Sequence, residues 1–177
     1  MNELETRTIL FAETGEVNTQ RTLELAQARM QALGIRSVVV ATTTGNTGVM
    51  ASALFKGINL VVVTHTTGYK APDEQELTAE NRAQIKETGA RIYTGMHAFG
   101  GVGRAIRLKF GGLDTDETIA HTLRIFGQGV KVAVEMAIMA ADAGLVRTDE
   151  TVMCIAGTNR GADTAVILKP SNIQRMF

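Results

Sequence analysis

Short unbroken apolar runs alternate with amphipathic stretches along this chain, the pattern of strands covered on both faces by helices. Thr8 to Ala12 reads as a first strand, followed by a polar turn over Glu13 to Val17. A helix then begins at Asn18 or Thr19, buries Leu23, Leu25, Ala26, Met30 and Leu33, and ends at a left-handed Gly34. Val38 to Ala41 is a fully apolar strand, Thr47 to Phe55 a short helix ended by Gly57, and Leu60 to Thr64 a further buried strand. Polar, punctuated sequence over Thr66 to Asp73 predicts a loop. Glu74 to Thr88 predicts a charged helix closed by Gly89, and Arg91 to Tyr93 a short strand.

The alternation then weakens. Gly95 to Gly112 is too rich in glycine for a simple helix, and it groups His97 with Arg104, Arg107 and Lys109 as a lid or an edge cover. Thr115 starts a helix, and Gln128 to Ala143 is apolar nearly all round, which predicts a buried helix. Thr151 to Ala156 and Asp163 to Leu168 are strands joined by a six-residue turn, so they pair antiparallel. Together these elements predict an α/β fold, a three-layer α/β/α sandwich on a mixed, mostly parallel sheet with an antiparallel final strand. A single domain spans residues 1–177.

Composition narrows the partners. Eighteen basic residues balance eighteen acidic ones, so no global field recruits nucleic acid or an anionic membrane. A local phosphate site is compatible with that neutrality. Cys154 is alone, which excludes an intrachain disulfide, and no cluster has metal-ligand spacing. Met1 to Glu5 lacks the basic-then-apolar pattern of a leader, and no apolar run approaches bilayer length, so a cytoplasmic protein is expected.

Candidate chemistry gathers in three loops. Thr42, Thr43, Thr44, Gly45, Asn46 and Thr47 run from a strand into a helix start. Free amides and the positive dipole end seat an anion there, and the hydroxyls add donors. Capping alone needs fewer of them. His65, Thr66, Gly68, Tyr69 and Lys70 follow the next strand, with His65 or Tyr69 placed to meet a ligand ring. Gly157, Thr158, Asn159, Arg160, Gly161, Asp163 and Thr164 form the third loop, where glycines let a guanidinium approach an oxyanion closely. Glu135 and Asp142 share one face of the apolar helix, with Lys131 one turn before Glu135. They are candidate acids alongside His65 and His97, or simply paired groups. No GxGxxG after the first strand, Walker loop, GxSxG or HExxH occurs.

Val38–Thr47, Val61–Thr64 and Ile155–Ala165 together resemble the strands and phosphate loops of the pyruvate kinase C-terminal α/β domain. His97–Arg104, Val134–Asp142 and Arg160–Ala165 are similar to a group of standalone proteins built on that domain alone. The resemblance implies a sheet of order 3-2-1-4-5 with the last strand antiparallel, a regulatory phosphate site at Thr42–Thr47, and Gly157–Gly161 as its second wall. It also implies oligomer contacts. The phosphotransfer barrel of pyruvate kinase is not in this sequence, so catalysis of that reaction by this chain alone is not expected. Three readings follow: a binding or regulatory domain for a phosphorylated small molecule, a small enzyme on a phosphorylated metabolite, or a partner module acting in trans. A mononucleotide such as FMN fits the first reading, as does a sugar phosphate. Homo-oligomerisation is expected through the helix carrying Met136 and Met139.

Overall fold

A computed structural model describes residues 6–177. Met1 to Glu5, the segment read as lacking a leader, lies outside the described residues. Five strands form one sheet: β1 (Ser37–Ala41), β2 (Asn59–Thr64), β3 (Arg91–Thr94), β4 (Val152–Ala156) and β5 (Thr164–Leu168). Their order is β3-β2-β1-β4-β5. The β1 strand pairs in parallel with both β2 and β4, β3 is parallel to β2, and β5 is antiparallel to β4. This is the mixed α/β sheet the sequence predicts.

The helices are α1 (Thr19–Leu33), α2 (Asn46–Leu54), α3 (Ala79–Glu87), α4 (Val102–Phe110), α5 (Thr115–Arg124) and α6 (Gln128–Asp142). Period-two alternation along the strands sorts the core into two layers. Val38, Val40, Leu60, Val62, Met153 and Ile155 pack with Leu23, Ala26, Met30, Phe55 and Ile85 beneath α1, α2 and α3. Val39, Val61, Val63, Val152 and Cys154 face Ala133, Met136, Ala137 and Ala140 of α6 on the other side. Outside α6, Ile138 meets Phe99 and Ala120, which seats α5.

Four expectations need correction. Thr8 to Ala12 is not a strand: it joins no strand of the sheet, and Leu10 is exposed, so the run lacks a buried face. The charged helix starts at Ala79, not Glu74, because Glu74 closes a turn on Ala71 and extended Thr78 caps the Asn81 amide at 3.2 Å. The glycine-rich segment does contain a helix, α4. Gly103 faces α5 so closely that a Cβ would collide with the Asp116 carboxylate, so this glycine marks close helix packing and not a break. Met136 and Met139 are buried against the sheet of their own chain, so they offer nothing to another subunit. Among the described residues no helix is long and apolar enough to cross a membrane.

Candidate functional site

From β1 the chain crosses to β2 on one side, while β4 lies on the other, so the strand order reverses beside β1. In such sheets a crevice opens beyond the carboxyl ends of the strands at that reversal. A cavity of about 360 Å³ occupies this position. Its walls include Thr42, Thr43, Thr44, Asn46 and Thr47 after β1, His65 and Tyr69 after β2, and Gly157, Asn159, Arg160 and Gly161 after β4. The opposite wall comes from Arg104 of α4, Glu117 and Arg124 of α5, and Gln128, Lys131 and Glu135 of α6.

Within the β1–α2 turn, the buried Thr42 hydroxyl accepts the Gly48 amide at 3.3 Å, which caps the helix from inside. Gly45 precedes α2 with φ 110, and a Cβ there would collide with Asn81 and Leu77. Asn81 also fixes the turn by donating to the Thr44 carbonyl and to Asn46 Oδ1, both at 3.0 Å. The turn is therefore held from behind by α3. Among the described residues, the amides of Asn46 and Thr47 at the helix start have no acceptor.

The β4–β5 loop is held by the segment before α1. Asp163 accepts the amides of Gly15 at 2.7 Å and Thr158 at 3.1 Å, and the Thr164 hydroxyl at 2.7 Å. Burial pushes the Asp163 carboxyl up, but these donors outweigh it and hold it below the ordinary carboxylate range. Asn159 adopts the left-handed conformation (φ 63), which asparagine tolerates. Arg160 is exposed and makes no ion pair with a described residue.

Three rings cluster along the cavity wall. Tyr69 stacks on His97 with centroids 5.3 Å apart, and His65 lies 4.2 Å from Tyr69. Arg104 sits 4.8 Å above the Tyr69 ring and donates to its hydroxyl at 3.2 Å, tying α4 to the β2–α3 loop. Glu76 meets His65 Nδ1 at 2.7 Å. Deeper in, Lys131 donates to Glu135 Oε2, Glu135 Oε1 accepts the Phe99 amide at 2.9 Å, and His97 Nδ1 stands 4.0 Å from Oε2. The Lys131 and Glu135 pairing accounts for one carboxylate in the wall, and a two-pronged bond from Arg107 accounts for Glu117. That leaves Arg104, Arg124 and Arg160 in the lining against one remaining acidic residue, Glu16, a net positive cavity.

Other predicted residues lie apart from the cavity. Asp142, at the far end of α6, accepts the Asn172 side chain and the Ile173 amide, so it holds the C-terminal segment. Gly45, Asp163 and Thr164 shape the loops from behind, Thr66, Gly68 and Thr158 do not reach the cavity, and Lys70 pairs with Glu74 on the surface. The sequence reading missed Glu16, Glu117, Arg124 and Gln128 as wall residues.

Burial pulls the His97 imidazole below the ordinary histidine range. Glu135 opposes this, while His65, Lys131 and Arg104 add to it. Below about pH 6.5 the unfolded chain therefore takes the proton before the folded one does. Stability is expected to be greatest above that pH and to fall as pH drops toward the lower folded value. His97→Gln removes this component, so urea titrations of the two proteins should diverge between pH 7.5 and 5. Parallel curves would show that His97 is not held neutral.

The chain matches the model of the pyruvate kinase alpha/beta domain over residues 20–168. Among solved structures, two pyruvate kinases from Cryptosporidium parvum are similar. One is 12% identical with a TM-score of 0.47, covering 86% of this chain and 23% of the other. The second is 11% identical with a TM-score of 0.45, covering 86% and 22%. This chain thus spans less than a quarter of those pyruvate kinases. With the family model matching most of its length, the chain belongs to the pyruvate kinase alpha/beta domain family.

Proposed function

We propose that this domain binds a phosphorylated small molecule, with the phosphate on the Thr43–Thr47 turn and Arg160 closing over it. One observation carries this reading: the turn after β1 and the loop after β4 wall the same net-positive cavity at the strand-order reversal. The dipole of α2, the open amides of Asn46 and Thr47 and the nearby guanidinium groups all favour an oxyanion. The ledge of His65, Tyr69 and His97 supports a planar group next to the phosphate, which a mononucleotide such as FMN supplies. A sugar phosphate uses the same phosphate seat without the ledge. The role is that of a cytoplasmic binding or regulatory domain, which needs no metal.

The absorbance and mass spectra of the purified protein test this directly, followed by calorimetry with FMN and with sugar phosphates. Hydrogen bonds to a charged group are each worth about 1.5–3 kcal/mol, so Thr43→Ala with Thr44→Ala is expected to weaken binding roughly 100-fold or more. If no such ligand copurifies or binds, and the double variant behaves as the parent, the reading is wrong.

A separate observation favours self-association or a partner. Val102, Phe110, Leu113, Ile125 and Phe126 are large apolar side chains left exposed on and after α4 and α5. Light scattering after size exclusion reads this directly, and a monomer mass across working concentrations removes the homo-oligomer.

A further inference from the structure

We propose that the inner end of the cavity is an acid–base centre for proton transfer next to the carbonyl of a small phosphorylated substrate, with His97 as base and Lys131 as oxyanion donor. This rests on the phosphate reading above and assigns what the other end of the same ligand meets. Lys131 and Glu135 are almost wholly buried, yet both reach the cavity wall. Burying an ammonium and a carboxylate beside an apolar core is costly, and the other buried residues of α6 are glycine, alanine, isoleucine and methionine. Their placement in the wall of the same cavity as the Thr43–Thr47 turn sets fixed charge within the space a ligand would occupy.

The chemistry follows from the groups present. Lys131 Nζ donates to Glu135, so it serves as a hydrogen-bond donor and not as a nucleophile. Cys154 is fully enclosed within β4, away from the cavity. A positioned imidazole next to a fixed cation suits proton abstraction beside a carbonyl, the cation meeting the charge that develops on oxygen. His97 Nδ1 faces Glu135, leaving Nε2 as the nitrogen outside that contact. The C–H bond beside the carbonyl breaks and its proton passes to His97. The electron pair forms the enediolate double bond, and the carbonyl oxygen takes the negative charge while accepting from Lys131. Return of the proton to the same carbon restores the substrate; its return to the former carbonyl carbon, with the hydroxyl proton passing from one enediolate oxygen to the other, gives the isomeric phosphorylated hydroxycarbonyl compound, with no redox partner needed. The charged groups facing His97 are Glu135 and Lys131 from α6, His65 from the end of β2 and Arg104 from α4.

The test incubates the whole protein in deuterium oxide with dihydroxyacetone phosphate, glyceraldehyde 3-phosphate, ribose 5-phosphate or fructose 6-phosphate, and follows the proton beside the carbonyl by NMR. Calorimetry with inorganic phosphate runs in parallel. Exchange above buffer is expected for at least one compound, with His97→Gln lowering it roughly 100-fold or more. The double variant Lys131→Met/Glu135→Gln, which keeps an acceptor for the Phe99 amide, gives a second reading with a similar loss. Phosphate binding without exchange of any compound overturns this inference alone, as does exchange that survives His97→Gln. Absence of both phosphate binding and exchange overturns the phosphate reading with it.

Discussion

Gly161→Ala is expected to destabilise the protein by about 2–5 kcal/mol, combining left-handed backbone strain with overpacking. Gly161 has φ 74, and a Cβ there would fall well inside 3.0 Å of the Glu16 backbone and the Thr19 hydroxyl. Neither neighbour can swing away. Glu16 opens the short 3-10 turn before α1, and Thr19 Oγ1 accepts the Ala162 amide at 2.9 Å. The substitution must therefore lift the β4–β5 loop off the start of α1, moving Arg160 and Gly157 in the cavity wall. For a domain of this length the loss corresponds to a fall in Tm of roughly 4–20 °C. Gly34→Ala is the internal control: φ is 65, but nothing lies within 4 Å of its Cβ, so only strain remains, about 1–2 kcal/mol. Urea unfolding of both variants separates the two causes. Equal losses would mean that contact with Glu16 does not hold the loop.

That contact also shows what was legible in the sequence. The turns after β1 and β4 could be read locally, because each follows a fully apolar strand and its residue types suit an anion. The far wall could not. Glu117, Arg124 and Gln128 reach the cavity only because α5 and α6 fold across the opposite face of the sheet, a long-range outcome with no local signature. Asp142 shows the opposite error. Seven residues bring it back to the face of Glu135, but seven residues also span about 10 Å of helix, which carries it out of the site. Glycine misled in the same way over Gly95 to Gly112. Gly103 is there to let α4 approach Asp116, just as Gly129 lets α6 start against Thr164, and sequence cannot separate close packing from a turn. The run at Thr8 to Ala12 has strand composition, but it pairs with no strand of the sheet and Thr8 to Leu10 stay exposed.

The second large effect is expected at the cavity floor, where Lys131→Met and Glu135→Gln should each cost about 3–5 kcal/mol by leaving a buried charge without its partner. The double variant should recover much of that loss, since both charges leave together and glutamine still accepts the Phe99 amide. Urea unfolding of the four proteins gives the coupling energy; additive losses would mean that the two side chains do not act as a pair. His97 supplies a second readout that a purely structural role would not move. In the parent protein Glu135 raises its proton affinity and Lys131 lowers it. Lys131→Met should therefore shift the His97 titration upward, and Glu135→Gln should shift it downward, as followed by NMR of the ring protons. The upward shift lets His97 take a proton and answer the stranded carboxylate as pH falls, so the deficit of Lys131→Met should shrink in mild acid. The deficit of Glu135→Gln should not shrink, because the added imidazolium would face the unpaired ammonium. Opposite responses of two variants at one ion pair place His97 within the electrostatic reach of that pair, which is what proton transfer at this end of the cavity requires.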